Sequence, residues 1–176
     1  MKRIVVLFLA FGLFATRAVA ADAGLPEYIG NFAGRAATTA YVPLERATAV
    51  QQSRVRGFGF GGAEVHYSFA GDGSPVRFKA GQRLEFIVRV AAQDRDPQSF
   101  FQLFALKQIN GERILPMASG TMFGSTDTHH EQDRPFDAEK YGTNFFKIVP
   151  SVPLAPGEYG LSTSDSQTCF LFAVDP

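Results

Sequence analysis

The sequence predicts an all-β protein, a single antiparallel β-sandwich with one long polar loop. Three observations carry this. Apolar and polar residues alternate with period two over much of the chain, the signature of half-buried strands. Turn-forming pairs fall between the alternating runs: Gly61-Gly62, Gly71-Asp72-Gly73, Gly81-Gln82 and Asn110-Gly111. No helical stripe persists for three turns, and many short strands with little helix pack as a sandwich or barrel.

The chain opens with what reads as a secretory signal, residues 1–20. Lys2 and Arg3 give a positive start, Ile4 to Ala15 an apolar stretch, and Ala18-Val19-Ala20 a small-residue cleavage site. Arg17 interrupts the stretch well short of the ~20 apolar residues a membrane span needs, and no later segment approaches that length. Cleavage after Ala20 removes Lys2, Arg3 and Arg17 and no acid. The even balance of 17 basic and 17 acidic residues then becomes 14 against 17. A mildly acidic chain without a basic run is not built for nucleic acid. A 45% hydrophobic, 19% charged composition excludes wholesale disorder and a multi-span membrane protein.

Residues 21–37 are small, Gly-rich and weakly patterned, and read as a loose N-terminal arm or an edge strand. The sandwich domain is expected over 38–176. Strands are expected near 39–43, 55–60, 63–69, 76–79, 84–91, 100–109, 112–118, 144–149, 158–163 and 169–174. Leu84, Phe86, Val88 and Val90 alternate with Glu85 and Arg89. Ala63, Val65, Tyr67 and Phe69 alternate with Glu64, His66 and Ser68. Asn110-Gly111 suits a type I′ turn, where both central residues need positive φ, so the runs on either side should pair as a hairpin. Two segments are helix candidates: Pro43–Ser53, with its proline at a first-turn position, and a single turn over Asp137–Tyr141.

Ser119 to Thr143 breaks the rhythm as a long polar segment, and structureless loops of that length tend to be functional or disordered. It concentrates Asp127, His129, His130 and Glu131, a candidate metal set that would take zinc or copper. It also places Phe123, Phe136 and Tyr141 among polar residues, a composition suited to partner binding. The spacing matches no established zinc motif, and a solvated polar loop is the better explanation of it; no cofactor is otherwise expected. Gly57, Gly59 and Gly62 spell G-x-G-x-x-G, but the residues that follow alternate as a strand, whereas a dinucleotide site needs a helix there. Cys169, the single cysteine, excludes an intrachain disulfide and sits between apolar neighbours as a small buried hydrophobe. There is no G-x-S-x-G elbow, and Asp94 with Asp96 or Asp133 with Asp137 look like ordinary loop acids.

The run Leu154-Ala155-Pro156-Gly157-Glu158-Tyr159-Gly160-Leu161 resembles the corner that leads into the penultimate strand of immunoglobulin-like sandwiches. There a tyrosine hydroxyl bonds upstream backbone; Tyr159 is the counterpart. With Phe146 to Pro150 before it and Phe172-Ala173-Val174-Asp175 after, the ending is also similar to uncharacterised bacterial secreted proteins of no known activity. The resemblance covers about the last 35 residues and implies immunoglobulin-like closing strands. The cysteine pair and core tryptophan of antibody domains are missing.

The expected function is a non-catalytic exported module of the bacterial envelope, periplasmic or secreted. It would bind a protein or another envelope component through 119–143 or serve structurally. A periplasmic metal-binding protein using 127–133 is the alternative, and a secreted hydrolase with an unmarked carboxylate pair is a third.

Overall fold

The computed structural model describes residues 23–37, 39–55, 63–120, 126–128 and 130–176. In chain order the first strands are β1 (Phe32–Ala36), β2 (Val42–Pro43), β3 (Glu45–Thr48), β4 (Val50–Val55), β5 (Ala63–Ala70), β6 (Arg77–Lys79) and β7 (Leu84–Arg89). A single helical turn, α1 (Pro97–Phe100), leads into β8 (Phe101–Ile109), β9 (Glu112–Gly120) and β10 (Thr126–Thr128). A 3₁₀ turn, His130–Gln132, then precedes β11 (Phe136–Tyr141), β12 (Phe145–Pro150), β13 (Gly157–Thr163) and β14 (Thr168–Asp175). No helix among the described residues is long and apolar enough to cross a membrane.

The strands form two packed sheets, an all-β sandwich. The smaller sheet runs β11-β12-β7-β1-β2 and the larger β3-β14-β13-β8-β9-β5-β4, with β10 added to β9 and β6 to β14. Among the described residues all strand pairings are antiparallel except β6 with β14. The two ends of the larger sheet, β3 and β4, are consecutive in the chain with only Ala49 between them. That sheet therefore curls until its ends meet in one bent strand, and it has an inside and an outside.

This geometry creates two cores from one period-two pattern. In β14, Phe170, Phe172 and Val174 point toward the smaller sheet and meet Phe32, Phe86, Val88, Phe146 and Ile148. The alternate residues Cys169 and Leu171 point into the curl and meet Phe69, Phe104 and Leu106. Both faces of β14 are buried, which is why Cys169 to Val174 is a continuous apolar run. Burial pushes the Cys169 thiol up to about 12, as befits an inert small hydrophobe.

The Asn110-Gly111 hairpin forms as expected. Both residues have positive φ, 53° and 81°, and Ile109 pairs with Glu112. The Tyr159 corner also forms: the ring is buried, and the hydroxyl donates to the Ala155 carbonyl at 2.7 Å. Tyr159→Phe keeps the ring and strands that acceptor, so denaturant titration should show a loss of about 1–2 kcal/mol. A variant that melts with wild type would remove the corner's energetic role.

Four readings change. Residues 32–36 are neither arm nor edge: β1 lies between β7 and β2, with Phe32 and Ala33 buried. Its small residues mislead because a ring occupies the space a side chain would take. A Cβ on Gly34 would lie 2.9 Å from the Phe86 ring. Ahead of β1, the segment from Ala23 straps across the outer face of the smaller sheet. There Leu25 and Tyr41 cover Ala33 and Ile87, and Tyr41 N–H donates to the Ala23 carbonyl.

The helix expected over Pro43–Ser53 is instead β2, β3 and β4. Pairing with β14 sets Glu45 opposite Leu171 and Ala47 opposite Cys169, so tertiary context overrides the local preference. The turn expected over Asp137–Tyr141 is likewise strand β11, paired with β12. The long polar loop is also largely ordered as β10, the 3₁₀ turn and β11. Asp133 and Arg134 bond the edge of β8 at Phe104 and Leu103, where β8 parts from β9.

Candidate functional site

Of the residues singled out within 119–143, the described side chains of Glu131, Phe136 and Tyr141 do not share one site. Phe136, expected to be exposed, is buried at 8%. It closes the end of the inter-sheet core, and its carbonyl accepts from Gln98 Nε2 at 2.9 Å. Alternation along β11 explains this: Phe136 and Ala138 face inward, Asp137 and Glu139 outward. Tyr141 is half-buried on the outer face beside Ile87 and Phe145. Phe123 and His129 lie outside the described residues, and for Asp127 and His130 only the backbone course is described. Glu131 is exposed, and its carbonyl accepts from Arg134 Nη1. Among the described residues no three His, Cys, Asp or Glu side chains converge as a metal site. Gly57, Gly59 and Gly62 also lie outside the described residues, and the strand β5 follows them.

Two other constellations emerge, and neither was marked in the sequence. The first closes one end of the curled sheet. Arg113 on β9 points inward and is 1% exposed. Its guanidinium donates to both Glu45 oxygens at 2.6 and 2.8 Å and to the Ala70 and Gly71 carbonyls at 2.7 and 3.2 Å. Glu158, 4% exposed on β13, lies 4.0 Å from Arg113 and 3.7 Å from Arg77. One Glu158 oxygen accepts the Ser74 N–H at 2.9 Å, which pins the 71–74 turn across the opening.

Burial pushes the Glu158 carboxyl above its ordinary range, although Ser74, Arg113 and Arg77 pull the other way. Burial pushes Glu45 up as well, but the hydrogen bonds from Arg113 and Ser74 outweigh it and hold this carboxyl low. A raised and a lowered carboxyl on one arginine look like an acid–base pair. Glu158, however, is sealed under the turn, with no room for substrate. The cluster balances charge and caps the fold.

The second constellation is open. At one end of the sandwich the β7–β8 connection crosses between sheets and, with the Gly30 turn and the β13–β14 turn, encloses a cleft of about 310 Å³. Phe100, Ile29, Val90 and Ala92 give it apolar walls; Arg95, Asp94 and Asp165 give it charge. Each wall is held in place. Asp96 caps α1 by accepting from Gln98 N–H, with Pro97 in the first turn. Ser164 N–H donates to the Phe100 carbonyl at 2.9 Å. The Arg95 guanidinium lies 4.7 Å over the Phe100 ring and donates to Asp165 at 3.1 Å. Ile29 is 64% exposed at the rim beside Tyr28, an unusual exposure for two large apolar neighbours.

Thr163 and Arg95 hold the Asp165 carboxyl below its ordinary range, the direction of a fixed anion and opposite to that of a proton donor. Arg95 and Phe100 carry no flag in the sequence; they acquire meaning only once Asp165 is brought beside them from 70 residues away. Compared with known proteins, the chain matches no family model, no curated sequence and no solved structure.

Proposed function

We propose that this protein is a non-catalytic, exported binding module of the bacterial envelope, and that it takes its ligand at the cleft between the β7–β8 connection and the β13–β14 turn. The leader-like first 20 residues support export. The Tyr159–Ala155 corner supports immunoglobulin-like closing strands. The observation that carries the binding reading is the cleft itself. Its volume falls within the ~300–1,000 Å³ of ligand sites, and it joins apolar walls to a few fixed charges. A protein segment or envelope component with one aromatic or aliphatic group to insert, flanked by polar groups, fits that composition. The part of 119–143 that remains a rival contact is the β9–β10 connection, 121–125, which carries Phe123.

Ala92 is exposed and lines the cleft. Ala92→Trp therefore fills the cleft without cutting into a core. Partner recovery from native envelope extract, at equal folded concentration, should drop about tenfold, the effect of losing ~1.4 kcal/mol of binding. Undiminished recovery rejects the cleft. Loss on replacing 121–125 with Gly/Ser residues, with the Ala92 variant intact, moves the contact to the β9–β10 connection. No specific recovery by wild type rejects the binding reading as a whole.

A further inference from the structure

Two basic and two acidic side chains line the cleft at the end of the sandwich: Arg89, Arg95, Asp94 and Asp165. Three of the four are committed within the fold. Arg89 lies over the Phe145 ring at 5.8 Å and donates through Nη1 to the Glu27 carbonyl. Arg95 donates to Asp165 and lies over Phe100, and Asp165 is held by Thr163 as well. Asp96, on the same connection, accepts the Gln98 N–H. Asp94 is exposed, and no hydrogen bond or ion pair reaches its carboxylate among the described residues. The uncommitted charge that the cleft offers a ligand is therefore negative, and it stands beside apolar walls.

The rim reaches further than the cleft. Ile29 lines it, while Tyr28, equally exposed at 64%, stands outside the lining. A small molecule seated in about 310 Å³ would leave Tyr28 in water; a chain crossing the rim would cover it.

Given the reading of this cleft as the binding site, we propose that its partner is a protein segment that sets an aromatic or aliphatic side chain against Phe100 and Ile29 and a lysine or arginine against Asp94. The apolar side chain supplies affinity by leaving water. The cation supplies selection. A carboxylate placed here would face Asp94, and would have to displace Asp165 from Arg95 to find a positive partner. A neutral group would take water from the Asp94 carboxylate without compensating its charge. A cation compensates Asp94 and leaves the Arg95–Asp165 pair intact, and a lysine or arginine stem can lie along the apolar wall while its head meets the acid.

Three blocked pentapeptides test this, glycine-rich and identical except for one residue. Each carries a phenylalanine followed by lysine, glutamine or glutamate, and each is titrated into the purified folded chain while backbone amide resonances are followed. The lysine peptide should shift resonances at 90–95 and 163–165. It should bind about fivefold tighter than the glutamine peptide, the strength of one ion pair near a protein surface, with the glutamate peptide weakest. Asp94→Asn should bring the lysine peptide to the affinity of the glutamine peptide and leave the latter unchanged. Asp94 is exposed, so this variant should melt with wild type. Equal binding of the lysine and glutamine peptides at the cleft, a preference for glutamate, or a lysine preference that survives Asp94→Asn overturns the proposal and leaves the cleft as a site of other chemistry. Phosphatidylethanolamine vesicles that shift these resonances where the peptides do not would give the cleft to a lipid surface and overturn it too. Shifts that survive Ala92→Trp, or no shift by any peptide or vesicle up to about 10 mM, well past the ~1 mM of weak association, remove the cleft reading and the proposal with it.

Discussion

Arg113→Met should destabilise the fold by about 3–5 kcal/mol at neutral pH, the usual cost of breaking a buried ion pair on one side. Methionine keeps much of the stem volume, so the loss reports the guanidinium. Without it, Glu45 and Glu158 face each other's charge with only Arg77 nearby, and the Ala70 and Gly71 carbonyls lose their donor. Removing charge from all three positions should cost less than removing it from one. The triple variant Arg113→Met, Glu45→Gln, Glu158→Gln should recover part of the deficit, since a buried ionic cluster often adds little over neutral residues of similar shape.

The pH dependence separates this account from simple loss of packing. Glu45 is held below its ordinary 4.5 in the folded chain, so it contributes stability above about pH 4.5 that is lost as pH falls through its folded value. Glu158 is raised, so its contribution has the opposite sign. It is full at acid pH, below the ordinary carboxyl range, and is lost as pH rises through the folded value. In Arg113→Met the larger cause of the Glu45 depression is gone and only the Ser74 hydrogen bond remains, so both carboxyls gain by binding protons. The deficit relative to wild type should therefore narrow between pH 7 and pH 4 in paired denaturant titrations. A deficit that is constant with pH would mean that the guanidinium acts only by filling space.

Phe172→Ala should cost a similar amount, about 3–5 kcal/mol, or roughly 6–20 °C in melting temperature at 2–4 °C per kcal/mol. The Phe172 ring is fully buried at the centre of the inter-sheet core. It lies 4.6 Å from the Phe86 ring and 5.9 Å from Phe78, and stacks on Tyr159 at 5.5 Å. Truncation removes aromatic contacts to both sheets, and neighbours fixed by backbone pairing cannot collapse into the gap. Phe145→Ala is the control: half-buried on the outer face, it should cost clearly less. Equal losses would mean that the inter-sheet core is not where stability resides.

The sequence by itself determined the strands whose two faces differ or whose turns are chemically marked. β5, β7, β8, β9, β13 and β14 alternate or run apolar, and Asn110-Gly111 and the Tyr159 corner are local devices with one good backbone solution. It could not mark β1, because Gly34 is small for the sake of a ring on a strand more than 50 residues away. It misread β3 and β4, because Glu45 and Ala47 face inward only once β14 lies beside them. It placed Phe136 outside, because the charged neighbours Asp133, Arg134 and Asp137 hide an inward residue whose core is built by other strands. The candidate cleft and the Arg113 cluster were illegible for the same reason. Arg95 with Asp165, and Arg113 with Glu45 and Glu158, are ordinary surface residues when read in order. They acquire their chemistry from burial and proximity, and those are fixed by which strands the curled sheet sets side by side.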